Sequence, residues 1–261
     1  MDLRANGASQ NTPLNLVLFE PSEIALPLAR SDSRATHILE VLRRSVGDSF
    51  DVGLVNGPHG KATLSAIHHD TLALSFVWGT LPPLPPPITL LIGLPRPQTA
   101  RKILQEATTL GVQALHFVTT ARGEPSYASS TLWSSGEWRR HLLAGAAQAF
   151  CTRLPDVTFG HSLSDIIAGL PPQATRVALD NYESLVALEA AIKPVAKANE
   201  SSTTGQAVIL ALGSERGWTA AERDLLRANH FALAHLGPRV LRTETACVAS
   251  IAIVKSSLGW L

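Results

Sequence analysis

Cysteine is nearly absent from this chain, and that absence excludes two frameworks. Cys151 and Cys247 are its only two cysteines, far too few for a disulfide scaffold, so the cytoplasm is the expected compartment. Both stand alone, and His68 and His69 are adjacent rather than spaced as ligands, so no metal site is expected. Charge is scarce too. Only 16% of the 261 residues are charged and the formal net charge is +1, against about 25% charged in an average soluble protein. With 45% apolar residues, that balance excludes a disordered chain, which needs low hydrophobicity and high net charge. It also argues against a polybasic tail, but it leaves a nucleic-acid partner open, because binding depends on local patches. Long apolar runs are missing as well. Ala246 to Val254 is interrupted by Ser250 and falls far short of the ~20 residues of a membrane span. Met1 to Thr12 is polar, with no signal-peptide core, so no membrane partner is expected.

Several catalytic motifs are absent. There is no G-x-G-x-x-G, no G-x-x-x-x-G-K-[ST] and no G-x-S-x-G. Dinucleotide-dependent hydride transfer, P-loop NTP hydrolysis and serine hydrolase chemistry therefore lose their main support.

What is present divides the chain. Thr80 to Pro87 holds five prolines in eight residues, which can continue neither a helix nor a central strand. A stiff linker over 81–87 is the natural reading, with a PxxP recognition site as the sharper alternative. Before it, residues 1–80 show β-like runs at Asn15 to Phe19, Ser49 to Val55, Lys61 to Ile67 and Thr71 to Val77, with a helix expected over Asp32 to Arg44. That spacing fits a small β-barrel. After it, residues 88–261 alternate between two periods. Ile88 to Leu94, Ala114 to Thr119, Thr175 to Asp180, Ala207 to Gly213 and Phe231 to Leu236 read as buried parallel strands. Helices are expected around Ala100 to Leu110 and over Glu137 to Phe150, Ser184 to Ala196 and Thr243 to Leu258, with a capping box at Thr219 and Glu222 opening another. The fold class is α/β with a mostly parallel sheet. Ligands of such sheets bind outside the carboxyl ends of the strands, which directs attention to the loops after Asp180, Leu212 and Leu236.

The third loop is the most unusual: Leu236-Gly-Pro-Arg-Val-Leu-Arg-Thr-Glu-Thr-Ala246. A strand ends, Gly237-Pro238 turns the chain, and a helix starts near Thr243. Backbone N–H groups at a helix start hold anions, and Arg239 and Arg242 can reach phosphate or a developing oxyanion. An ordinary turn, with Glu244 merely favoured by the helix dipole, is the equally balanced alternative.

Leu236 to Ala246 closely resembles the C-terminal signature of the RsmE family of 16S ribosomal RNA (uracil-N3)-methyltransferases, in the SPOUT superfamily. The resemblance runs in order along nearly the whole chain. His37 to Arg43 with Gly47-Asp48 is similar to the family's N-terminal signature, and Ala107-Thr108 with Leu110-Gly-Val112 to its "KATELGV" segment. Arg122 matches the arginine of "ERS"; Gln148 and Arg153-Leu-Pro155 match later positions; Gly213-x-Glu215-x-Gly217 resembles "GPEGG". The resemblance implies an N-terminal PUA-like barrel and a C-terminal trefoil-knotted α/β domain, a topology that the general rule against threaded loops would have excluded. It also implies S-adenosyl-L-methionine as methyl donor, 16S rRNA in the small ribosomal subunit as partner, and a homodimer.

By position, the implied cofactor pocket uses Leu179, Leu212, Gly213, Ser214, Gly217, Leu236, Gly237, Val240, Leu241 and Thr243. For the chemistry, Arg242 is the candidate to stabilise charge on a flipped uracil or to place phosphate, and Glu244 or Glu215 the candidate proton acceptor or orienter. Capping or loop ordering is the alternative for Glu215. Arg34, Arg43, Arg122 and Arg239 are the candidate RNA contacts. Residues 1–80 carry six Lys/Arg and eight Asp/Glu, a net of −2, and residues 88–261 carry sixteen and thirteen, a net of +3. Arg30, Arg34, Arg43 and Arg44 therefore form either a local cationic strip or a solvated helix surface. His37 reads as a packed or hydrogen-bonded structural residue rather than a base, and Trp133 and Trp138 as packing aromatics rather than base platforms. The chain departs from the family at Glu106, Thr109, Ala121, Gly123, Ala147, Cys151 and Arg216. If position 216 needs positive φ or close approach, its arginine crowds the site. A shifted RNA target, or a non-catalytic RNA-binding or assembly factor on the same fold, are the competing readings.

Overall fold

The structure is a computed structural model that describes residues 16–192 and 207–261. They form two compact units: the described residues up to Pro82 together with Phe150–Thr152, and the described residues of Pro83–Ala149 and Arg153–Leu261.

The first unit is a five-stranded sheet in the order β1-β3-β4-β5-β2. Its centre is an antiparallel meander of β3 (Ser49–Leu54), β4 (His59–Ile67) and β5 (Thr71–Trp78). Short β1 (Val17–Phe19) pairs parallel to β3, and β2 (Leu28–Ala29) antiparallel to β5. Period-2 alternation turns Phe50, Val52, Ala62, Leu64 and Leu72 into the core with Ile38. The helix expected over Asp32 to Arg44 is shorter and irregular. Asp32 caps α1 (Ser33–Thr36), the chain passes into a π-helical segment His37–Val41, and Arg43 adopts φ +52°. The Leu42 N–H bonds to His37 O, a five-residue spacing that ends the regular ladder.

The second unit holds seven strands in the order β10-β12-β9-β11-β6-β7-β8, and every recorded pairing is parallel. They are β6 (Ile88–Gly93), β7 (Ala114–Thr119), β8 (Asp156–Ser162), β9 (Thr175–Leu179), β10 (Val186–Ala187), β11 (Val208–Leu212) and β12 (Ala232–His235). The near-continuous apolar runs follow from burial on both faces. Leu90, Ile92, Leu210 and Leu212 pack toward α2 (Pro97–Thr109), α4 (Glu137–Gln148) and α7 (Thr243–Ser257). Leu91, Ile209, Ala211 and Ala178 face the opposite layer, with Leu163 and Ile167 of α5 (Leu163–Ala168) and Leu226 of α6 (Ala220–Ala228). A short α3 (Thr131–Ser134) precedes α4.

Two sequence expectations change here. The helix expected from Ser184 does not form there: Val186 and Ala187 instead pair with Ala234 and His235 at the free edge of β12, and helix begins only at Leu188. An open strand edge offers backbone partners that local helical periodicity does not reveal. Residues 193–196 of that expected helix lie outside the described residues. Strand β8 was not expected at all, although Val157, Phe159 and His161 alternate along it. Among the described residues, no helix is long and apolar enough to cross a membrane.

Candidate functional site

Because the strands run parallel, Gly93, Leu179, Leu212 and His235 bring their following loops to one end of the sheet. There a cleft enclosing about 190 Å³ is bounded by the segments Leu179–Tyr182 and Leu212–Trp218, by Leu236, by Arg239–Leu241, and by Thr243 and Ala246 at the start of α7.

The loop after β11 is shaped by close backbone approach. A side chain at Gly93 would collide with the backbone of Gly213 and Ser214, so the end of β6 must be glycine for this loop to settle against it. The turn closes with the Gly217 N–H on Ser214 O at 2.8 Å, and Gly217 takes φ +68°. Arg216, standing where the family motif has glycine, is not at positive φ, so the feared backbone strain is absent. Its carbonyl accepts from Arg122 Nη1 at 3.0 Å, and Glu215 Oε1 accepts the Arg96 N–H at 3.0 Å. Trp218 is buried and donates Nε1–H to Leu179 O at 3.1 Å, joining this loop to β9. The expected capping box follows: Thr219 and Glu222 bond reciprocally at the start of α6, and Glu222 Oε1 also accepts the Ala121 N–H at 2.8 Å. The Ser214 hydroxyl is buried beside the cleft without a hydrogen-bond partner.

The loop after β9 is held by charge. Asp180, with 2% of its side chain exposed, accepts Arg223 Nε–H at 2.6 Å. Its other oxygen accepts the Tyr182 and Glu183 N–H groups at 2.8 and 2.6 Å. Burial alone would raise the Asp180 pKa, but the Arg223 guanidinium and those two N–H groups outweigh it and hold the carboxyl below its ordinary value. Arg223 also pairs with Glu183 at 3.3 Å, and Glu183 with Arg227.

All the cofactor positions read from sequence line this cleft except Gly237, which sits in the turn at φ +104°. Glu215 and Arg239 line it as well; Arg242 and Glu244 do not. Arg242 is the exposed N-cap of α7, and neither it nor Arg239 makes a side-chain hydrogen bond or ion pair among the described residues. Glu244 reaches Lys102 Nζ at 3.2 Å. Its burial would raise its pKa, yet its own backbone N–H, Lys102 and Arg242 hold it below the usual carboxylate value. Arg43 and Arg122 are exposed. Arg34 is engaged throughout: its five N–H groups donate to Asp32, Glu23 and the Leu18 carbonyl, and it lies 4.9 Å from the centroid of Phe19. Five is the full donor complement of a guanidinium. His37 packs in the first unit with Nε2 buried and unpartnered. Trp133 stacks on Phe159 with centroids 4.7 Å apart, a core role. Asp180, Tyr182, Trp218 and Arg223 were not singled out from sequence. The first two lie in the loop that strand topology indicated, but the pairing of Asp180 with Arg223, 43 residues away, leaves no local signal.

A family profile described as "RNA methyltransferase domain" matches residues 82–255. The chain is 34% identical over 245 residues to the "Ribosomal RNA small subunit methyltransferase E" of Treponema pallidum (strain Nichols), covering 92% of this chain and 90% of that protein. Among solved structures it is similar to a probable rRNA-methyltransferase from Porphyromonas gingivalis, with a TM-score of 0.74 and 19% identity over 94% of this chain and 99% of that one. It is also similar to a ribosomal RNA small subunit methyltransferase E from Neisseria gonorrhoeae bound to S-adenosyl methionine, with a TM-score of 0.70 and 21% identity over 92% and 97%. At those identities the two structures speak to the fold.

Proposed function

This chain belongs to the RNA methyltransferase family, and from that premise we propose that it methylates N3 of one uridine in 16S ribosomal RNA. S-adenosyl-L-methionine is the proposed methyl donor. The observation that carries the proposal is the cleft itself. Three strand-end loops distant in sequence converge on it, and with them nearly every position that the family resemblance marks for cofactor.

The residues fit that group. Leu179, Leu212, Leu236, Leu241 and Ala246 offer apolar wall to an adenine and to the alkyl chain of the methionine portion, and the buried, unpartnered Ser214 hydroxyl offers a polar contact to a ligand that reaches it. The neisserial protein of the same fold holds this cofactor. When bound, the cofactor supplies an electrophilic methyl group on a sulfonium.

The chain's own residues have three tasks. The first is orientation: rigid loops that align the uracil ring with the donor contribute much of the rate. The second is charge. Uracil N3 gives up a proton as it is methylated, and Arg239 in the cleft, with Arg242 at the start of α7 beside it, is proposed to meet phosphate or charge growing on the uracil carbonyls. The third is the proton. Glu215 is engaged with the Arg96 N–H and Glu244 with Lys102, which suits both to loop ordering, so the N3 proton passes to solvent water at the exposed mouth of the cleft. RNA docking is assigned to Arg43, Arg122 and Arg239, because Arg34 has no donor left to give. The first unit, in this reading, is a PUA-like barrel that grips RNA, a reading supported by its antiparallel β3-β4-β5 meander. The second carries a trefoil knot, supported by the placing of β12 between β9 and β10. A cytoplasmic homodimer completes the proposal.

The test is transfer of labelled methyl to small subunits lacking the modification, with the product base mapped. N3-methyluridine at one position is the expected result, and label on a ribose or another base overturns the assignment. Arg242→Ala should lower kcat while leaving cofactor affinity in place; near wild-type turnover removes Arg242 from the chemistry.

A further inference from the structure

We propose that Tyr182 is a stacking platform at the mouth of the cleft for a nucleobase of the RNA substrate; this rests on the RNA-methylation reading above. Tyr182 is 78% exposed yet lines the cleft. It packs into none of the three hydrophobic clusters of the described residues, so the core does not account for an aromatic here. An exposed tyrosine is ordinarily free to swing. This one is held at its backbone and at one ring face. Its N–H is fixed on the buried Asp180 carboxylate, and the Arg223 guanidinium, itself buried between Asp180 and Glu183, lies 5.4 Å from its ring centroid. The ring edge reaches toward Gly217, where a Cβ would stand 4.0 Å from Cε2.

A cation on one face orients the ring and leaves the opposite face for a flat partner. Preorganisation of that kind lowers the ordering cost of binding. The exposed guanidinium of Arg239 borders the same cleft, so an aromatic face and a free cation flank one opening, the pairing that recognises a base with its phosphate. Of the apolar positions that suit the cofactor, Leu179, Leu212, Leu236, Leu241 and Ala246 are buried or half-buried, and Val240 is exposed. Tyr182 and Arg239 are exposed at the same cleft, where a substrate larger than the cofactor makes contact.

The experiment compares Tyr182→Ala, Tyr182→Leu and Tyr182→Phe in the full chain. Base–aromatic stacking implies that Tyr182→Ala raises KM for unmodified small subunits about tenfold or more, while calorimetric affinity for S-adenosylhomocysteine holds. Tyr182→Phe should restore KM; Tyr182→Leu, apolar but not aromatic, should not. As a readout independent of turnover, small-subunit RNA carrying 5-iodouridine at the target position should photocross-link to the peptide containing Tyr182. Weakened S-adenosylhomocysteine binding with unchanged KM for RNA would assign the ring to the cofactor and overturn the proposal. A changed sedimentation coefficient with unchanged KM would assign it to a contact between copies, with the same consequence. Leu matching Phe also overturns it. If the wild-type protein transfers no methyl, the reading above fails, and the cross-link still decides the role of Tyr182.

Discussion

Replacing Arg223 with methionine removes the cation but keeps a long apolar side chain, and it leaves the Asp180 carboxylate buried with only two backbone N–H partners. Removing one member of a buried ion pair costs about 3–5 kcal/mol, because the remaining charge is uncompensated. The two N–H groups place this case at the lower end, about 3 kcal/mol. For a unit of this size, roughly 2–4 °C of Tm per kcal/mol gives a drop of about 6–12 °C. The pH dependence is more diagnostic. In the wild type the folded-state pKa of Asp180 is held below 3.8, so its contribution is present at neutral pH and is lost as pH falls through that depressed value. Without Arg223, burial becomes the dominant influence and pushes the carboxyl up. The variant then sheds its penalty by taking a proton, and regains stability relative to wild type as pH falls from neutral toward the ordinary carboxylate value of 3.8. Thermal or urea unfolding followed by tryptophan fluorescence across that window reads the narrowing gap. The Asp180→Asn/Arg223→Met double variant should recover much of the loss, with a coupling energy of about 2 kcal/mol. A pH-independent gap, or a double variant no more stable than Arg223→Met, would refute the reasoning.

Two further outcomes follow from contacts already described. Gly93→Ala should weaken S-adenosyl-L-methionine binding by about 1–3 kcal/mol through displacement of the loop at Ser214; calorimetry giving wild-type affinity would show that the loop accommodates the methyl group. Arg34→Ala should destabilise the first unit by about 2 kcal/mol, since it leaves Glu23 and Asp32 without their guanidinium. The salt dependence of RNA binding should stay unchanged, and a slope reduced by about one would show that Arg34 meets phosphate after all.

Much of the second unit was legible because its strands are buried on both faces. Ile88 to Gly93 or Val208 to Leu212 leaves no room for another interpretation when helical periods flank it. The Thr219 and Glu222 capping box was equally plain, being a contact between residues three apart. The edges were not. Strand β10 exists because β12 offers it an edge, and β8 because β7 does; their pairing energy comes from distant backbone.

The candidate site divides along the same line. Sequence alone determined its inventory: the loops after Asp180, Leu212 and Leu236, the two of them that bear glycine, and two arginines beside a helix start. These are properties of short segments, and short segments carry their own conformational preferences. Only the tertiary structure decided what each charge is for. It engaged all five donors of Arg34 within the first unit, set Glu215 on Arg96, tied Glu244 to Lys102, and locked Asp180 to Arg223 under an exposed Tyr182. A charge takes its role from whichever partner lies within a few ångströms, and for these residues that partner is set by how the chain packs and not by its neighbours in sequence.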